Sequence, residues 1–263
     1  RAFQNEFTEE GLMKCAGTAC FNKIVKKYGD KLQNSKVAVF CGNGKNAGDG
    51  FVIAKLLCEI GVDAVIVIAD KMPELREPLM YYNEAIENGV KSVCFDDYTF
   101  DCDYIVDCLF GIGFHGQPRE PFHSVFDAVN SSGAVVISID TPSGTDATTG
   151  AVVNAVQADY TIAISTLKYA HILPPANEYC GEISVVNIGI PEKYYDSNYA
   201  LTITAADVKA GFIKRAKNSH KGSFGRQLNI CGSYFMPGAA VICAKAALKT
   251  GVGLLECVFP KSV

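Results

Sequence analysis

The feature that most constrains this chain is an alternation of two kinds of segment. Short β-branched runs occur at Val37–Cys41, Ala64–Ala69, Tyr104–Leu109, Ala134–Ile139, Tyr160–Ile164 and Ile183–Val186. Helical stretches such as Phe51–Ile60, Glu74–Asn88 and Pro121–Val129 fall between the earlier ones, and Glu9–Tyr28 has the spacing of an opening helix. Its expected buried stripe is Leu12, Cys15, Ala16, Ala19, Ile24 and Val25. Strands alternating with helices predict an α/β fold: a Rossmann-like three-layer sandwich around a mostly parallel sheet.

Ligands of such sheets gather beyond the carboxyl ends of the strands, which directs attention to three loops. The first, Gly42-Asn43-Gly44-Lys45-Asn46-Ala47-Gly48-Asp49-Gly50, has four glycines in nine residues. Its backbone can bend tightly and approach a ligand, and the helix expected to follow offers unpaired N–H groups to a phosphate. The same loop would serve as an ordinary strand-to-helix turn. It lacks the Gly-Lys-Ser/Thr ending of the nucleotide-triphosphatase loop and the glycine spacing of the dehydrogenase fingerprint.

The second loop follows Asp107, with glycines at 111, 113 and 116. An unpaired carboxylate within an apolar strand end is costly, so Asp107 needs a cation, a hydrogen-bond donor or a proton. A helix cap or a structural hydrogen bond is the plainer alternative. The third loop is Ser138–Gly144, where Asp140 follows an apolar run and precedes a proline-fixed turn.

With 263 residues, 49% of them hydrophobic, the chain can bury one large core or two small ones. A net charge of −4 gives no basic face for nucleic acid. Even the apolar stretch Gly238–Leu255 carries Lys245 and Lys249, so no membrane span is expected. The eleven cysteines lie mostly in apolar segments, as Cys41, Cys58, Cys108 and Cys243 do. None is spaced Cys-x-x-Cys, and reduced thiols in a cytoplasmic protein are expected. The sequence begins at Arg1 without a methionine, so an absent targeting segment proves little.

The texture changes after Pro191. A polar, tyrosine-rich stretch, Glu192–Tyr199, is followed by the basic segment Arg215–Gly225, a strand at Gln227–Cys231 and an alanine-rich helix at Pro237–Thr250. Residues 1–205 are read as one domain. Residues 206–263 are read as a linker and the incomplete start of another.

Together these motifs resemble the NAD(P)H-hydrate epimerase (YjeF N-terminal) family over residues 10–205. The resemblance rests on Gly42–Gly50, on Val106–Gly111 through Arg119-Glu120-Pro121-Phe122, and on Ser138–Gly144. It also rests on Thr166-Leu167-Lys168 and on Gly181-Glu182 to Ile188-Gly189-Ile190-Pro191. The tail, with His220–Gly225, Gly232-Ser233 and Pro237-Gly238-Ala239-Ala240, resembles the start of a ribokinase-like ADP- or ATP-dependent NAD(P)H-hydrate dehydratase domain.

The resemblance implies a metabolite-repair epimerase that interconverts the R and S forms of hydrated NADH or NADPH (NADHX, NADPHX). It implies that Lys45, Asn46, Ala47, Gly48 and Asp49 hold substrate phosphate, and that Gly111, Ile112, Gly113, Phe114, His115, Gly116 and Gln117 wrap the substrate. Asp140 would sit at the reacting ring as acid/base, with Lys168 a second candidate for proton transfer. Potassium would be held by Asn46, Asp107 and Ser143. Ala239 would touch substrate in the second domain, which when complete would use ADP or ATP with Mg2+. A homo-oligomer and a small-molecule partner are also implied.

Three residues depart from the family pattern: Lys45, Ala47 and Lys14. Ala47 would be strained only if its position required positive φ. His115 is a weaker substrate contact, His123 is expected on a helix surface and His220 in the second domain's entry loop. A non-catalytic nucleotide- or protein-binding module of the same fold is the main alternative, and an NAD-dependent dehydrogenase is a second.

Overall fold

The computed structural model describes residues 8–195, 200–201, 203–212 and 214–260. The chain divides into two compact units between residues 196 and 197. Part of the tyrosine-rich stretch, 196–199, lies outside the described residues.

The first unit holds a seven-stranded, wholly parallel sheet. Its strands are β1 (Lys36–Cys41), β2 (Asp63–Ile68), β3 (Lys91–Cys94), β4 (Tyr104–Cys108), β5 (Val135–Ile139), β6 (Tyr160–Ile164) and β7 (Glu182–Val186). They lie in the order β3-β2-β1-β4-β5-β6-β7. Four helices cover the sheet: α1 (Glu9–Tyr28), α2 (Lys45–Glu59), α3 (Arg76–Glu87) and α4 (Phe122–Ser131).

The two-residue period of the strands sorts their side chains between two cores. Val37, Val39 and Cys41 of β1 and Tyr104, Val106 and Cys108 of β4 join Cys20, Ile24, Phe51, Leu57 and Tyr81 beneath α1–α3. Ala38, Phe40 and Ile105 face Phe122, Val125 and Phe126 of α4 on the other side. By the same alternation Asp107 and its register neighbour Ser138 stand on the α4 face.

Thr8 caps α1 by accepting a hydrogen bond from the Gly11 N–H at 3.0 Å, and Lys26 and Lys27 complement its last turn. The buried stripe of α1 is Leu12, Met13, Ala16, Gly17, Cys20 and Ile24. Cys15 is exposed, because the helix turns its Met13–Gly17–Cys20–Ile24 line toward the core.

β3 escapes sequence reading because Lys91-Ser92-Val93-Cys94 has one β-branched residue and lies at a sheet edge. α2 begins earlier than expected, at Lys45, with Gly44 as its N-cap. Lys45–Gly50 is therefore helix and not loop, and two of its glycines serve packing. A methyl at Gly48 would stand 2.1 Å from Met13 Sδ, and one at Gly50 would stand 2.8 Å from Cys108 Cβ. Ala47 is helical and fully buried, so its extra methyl costs no strain.

The second unit contains α5 (Ala205–Gly211), β8 (Arg226–Ile230), α6 (Pro237–Thr250) and β9 (Leu254–Val258). β8 and β9 pair in parallel, which makes β8-α6-β9 a crossover unit. All eleven cysteines are unpaired, and burial pushes the Cys20, Cys41 and Cys108 thiols well up. Among the described residues no helix is long and apolar enough to cross a membrane.

Candidate functional site

β1 connects outward to β2, whereas β4 connects outward to β5 on the other side. The chain therefore parts at the carboxyl ends of β1 and β4, where ligands of open parallel sheets bind. A cavity of about 1180 Å³ opens there.

The start of α2 contributes Lys45, Asn46 and, one turn on, Asp49 to its wall, and the loop after β4 contributes Gly111 to His115 and Gln117. Asp140 lies on the wall beyond β5. Three of the expected contacts are placed elsewhere: Ala47 and Gly48 are buried in the packed part of α2, and Gly116 is off the cavity wall. Ala239 belongs to the second unit, on α6. The wall also includes Asp70 and Lys71, directly after β2, and Arg119 and Glu120. The strand-end rule applied to β2 would have found Asp70 and Lys71.

Asp107 is fully buried. Its Oδ2 accepts from Ser138 Oγ at 2.7 Å and from the Ser143 N–H at 2.9 Å. Its Oδ1 accepts from the Leu109 N–H at 3.2 Å and from Ser143 Oγ. Burial pushes this carboxyl up, and the hydrogen bonds pull it back. Asn46 reaches across from α2, its Nδ2 donating to the carbonyls of Phe110 at 2.9 Å and Ile139 at 3.2 Å. The Phe110 N–H donates to Ser143 Oγ at 2.9 Å.

One carboxylate, two hydroxyls and two carbonyls are thus gathered here, the carbonyls receiving the Asn46 amide N–H. This set of oxygens suits a hard monovalent cation, and among the described residues no group of three or more His, Cys, Asp or Glu is placed to hold a metal.

Asp140 occupies a turn with φ of 72° and donates its N–H to the Ile162 carbonyl at 2.9 Å. A non-glycine residue there is strained, and the surrounding hydrogen bonds hold it. Its Oδ1 pairs with Lys168 Nζ and accepts from the Ile164 N–H at 3.3 Å. Its Oδ2 faces the other way: a methyl at Gly111 would stand 3.6 Å from it and 3.5 Å from Asn46 Cβ. Lys168 Nζ also donates to the Ile164 carbonyl at 2.6 Å.

His171, which sequence reading did not single out, supports this pair. Its Nε2 donates to the Asp140 carbonyl at 2.8 Å and its Nδ1 accepts from the Lys168 N–H at 2.9 Å. That pattern fixes the neutral tautomer. Burial lowers its affinity for a proton below the ordinary value of 6.5. The unfolded chain therefore binds this proton more readily, so stability is lost as pH falls from about 6.5 through the lower folded value. Urea unfolding at pH 7 and pH 5 is expected to show that loss, and His171→Asn to reduce it.

His115 Nδ1 lies 2.8 Å from Asp146 Oδ2, and this contact, with the Thr148 and Thr149 N–H groups, holds the Asp146 carboxyl well below the usual range. The loop over the cavity is thereby tied to the segment after Ser143. Lys45 pairs with Glu9 at 2.9 Å. His123 is half-buried on α4 and lies 3.0 Å from Asn154 Nδ2.

Comparison with known proteins agrees with this architecture. Bifunctional NAD(P)H-hydrate repair enzymes from Coxiella burnetii and Escherichia coli are each 31% identical, aligned over 97% and 93% of this chain. The corresponding enzyme of Methanothermobacter thermautotrophicus is 33% identical over 95% of the chain. The alignments cover 52%, 48% and 49% of those proteins respectively, so the chain spans about half the length of the curated relatives it matches. The crystal structure of yeast ynu0 superposes with a TM-score of 0.61 at 20% identity, over 74% of this chain and 90% of the yeast chain, and supports the fold. Residues 9–170 match the family model described as YjeF-related protein N-terminus, and the chain belongs to that family.

Proposed function

We propose that this chain is an epimerase of hydrated NAD(P)H, interconverting the R and S configurations at carbon 6 of the damaged ring. The observation that carries this reading is Asp140 on the wall of the switch-point cavity, with one carboxylate oxygen held by Lys168 and the other beside Gly111 of the same wall. The repair enzymes to which the chain is related support the choice of substrate.

The cavity suits a dinucleotide in size and polarity. Gly44 gives α2 no side-chain cap, which leaves first-turn N–H groups for a phosphate, and Lys71 and Arg119 add positive charge to the wall. At the ring, the C6 hydroxyl gives its proton to Asp140 while the C6–N1 bond breaks and an aldehyde forms. N1 gains a proton. Rotation about C5–C6 presents the other face, N1 attacks the aldehyde carbon, and both protons return. Lys168 holds Asp140 in place and balances its charge. His171 fixes the backbone of both residues.

In this reading Asn46, Asp107 and Ser143 hold potassium, which would neutralise Asp107 and brace the loop carrying Phe110. Potassium chloride is expected to stabilise the fold over sodium chloride of equal ionic strength by about 1.4 kcal/mol at ten times its dissociation constant, which is read as a higher melting temperature. Ser143→Ala should remove the difference. The second unit, by the length of the relatives, would open a dehydratase domain that uses ADP or ATP with Mg2+ when complete.

The deciding test is conversion of purified R-NADHX to the S form, followed by chiral chromatography against the spontaneous rate. Acceleration supports the epimerase. Tight binding without acceleration would instead identify a binding module.

A further inference from the structure

Asp49 sits on α2, one turn past Asn46, in the wall of the same cavity as Asp140. Among the described residues no cation pairs with it. A bare carboxylate in this position would repel a phosphate. Asp140, by contrast, is balanced by Lys168. Of the four carboxyl groups on this wall, Asp70 and Glu120 are exposed, whereas Asp49 and Asp140 are buried in opposite environments, the arrangement that separates an acid from a base.

Resting on the epimerase reading, we propose that Asp49 is a second catalytic residue, the acid that protonates the ring nitrogen N1 when the C6–N1 bond breaks. In the forward half-reaction Asp140 takes the hydroxyl proton and Asp49 gives its own to N1. On ring closure Asp49 takes the N1 proton back and Asp140 returns its proton to the oxygen. No other reactant is consumed, and both carboxyl groups end as they began.

The surroundings of Asp49 favour the protonated acid. Burial pushes its carboxyl well up, and the charge of Asp140 adds to this. The other titratable groups whose interaction with Asp49 is felt are Cys20 from α1, Tyr81 from α3 and Cys108 from β4. All three are neutral at pH 7, because burial raises each above its ordinary range. A group raised in this way donates below its folded value and fails above it, so turnover should decline on the alkaline side.

The experiment is steady-state epimerisation of R-NADHX by wild type, Asp49→Asn and Asp49→Glu across pH 5 to 9. Asparagine keeps the shape and an N–H donor but has no proton to transfer. Asp49→Asn is expected to lower kcat by about 10²- to 10³-fold with KM nearly unchanged and to abolish the alkaline limb. Asp49→Glu should recover part of kcat. Wild-type turnover in Asp49→Asn overturns the assignment and leaves the epimerase reading standing. An inactive wild-type protein removes both. Should Asp49→Asn not fold, a 13C carboxyl titration of the wild-type protein decides: an Asp49 signal that titrates near the ordinary carboxylate value overturns the assignment.

Discussion

Asp140→Asn is expected to lower kcat for epimerisation by about 10²- to 10⁴-fold, the range for losing a positioned acid or base. The substitution keeps the size of the side chain and a hydrogen-bond acceptor for the Ile164 N–H, so dissociation constants measured by calorimetry should change little. It also removes the charge that faces Lys168 in a largely buried pair, leaving the ammonium with the Ile164 carbonyl. Some loss of stability should follow, because an ion pair broken on one side leaves an uncompensated charge. Unchanged turnover in a folded Asp140→Asn protein would falsify the acid/base role. Reduced affinity with unchanged kcat would make Asp140 a binding group instead.

The largest stability effect is expected at Gly144, in the turn that follows Asp140. Its φ of 95° lies where side chains other than glycine are strained. A methyl there would also meet the Asn154 carbonyl oxygen at 2.2 Å, Ala155 Cα at 2.8 Å and Phe126 Cε2 at 2.9 Å. Two of these atoms are backbone, tied down by the Val156 N–H bond to the Ser143 carbonyl at 2.9 Å, so neither can move aside cheaply. Gly144→Ala should cost about 3 to 5 kcal/mol, combining backbone strain with overpacking. Gly113→Ala is the control: nothing lies within 4 Å of its added methyl and its φ is not positive, so its stability should stay within about 0.5 kcal/mol of wild type. Equal melting temperatures for Gly144→Ala and wild type would show that the turn is not held as described.

The Gly144 turn was visible in the sequence only as a proline and a glycine after a strand. Why alanine should fail there depends on Asn154 and Ala155, ten and eleven residues away, which fold back over the turn. The same distinction runs through the fold. The bounds of α1, β6 and α6 follow from local periodicity and match the structure residue for residue. The start of α2 does not, because glycine-rich segments read as loop. What keeps Gly48 and Gly50 helical is the close approach of Met13 and Cys108, which no local pattern encodes. β3 forms through its pairing with β2, since Lys91–Cys94 has little preference of its own.

The sequence by itself determined a parallel α/β architecture and located the chemistry at the ends of its strands, because side-chain period, glycine spacing and strand-end polarity are local properties. The family motifs brought Asn46, Asp107, Asp140, Ser143 and Lys168 forward as candidates. The tertiary structure alone decided how those residues are used. Strand order brings loops from β1, β4 and β5 to one cavity, Lys168 and His171 arrive from beyond β6, and α1 closes over α2. Whether a carboxyl group carries a proton depends on how much water it keeps and which charges face it. Those are set by segments far apart in the chain: burial raises the Asp49 carboxyl, and Lys168 from beyond β6 pairs with Asp140.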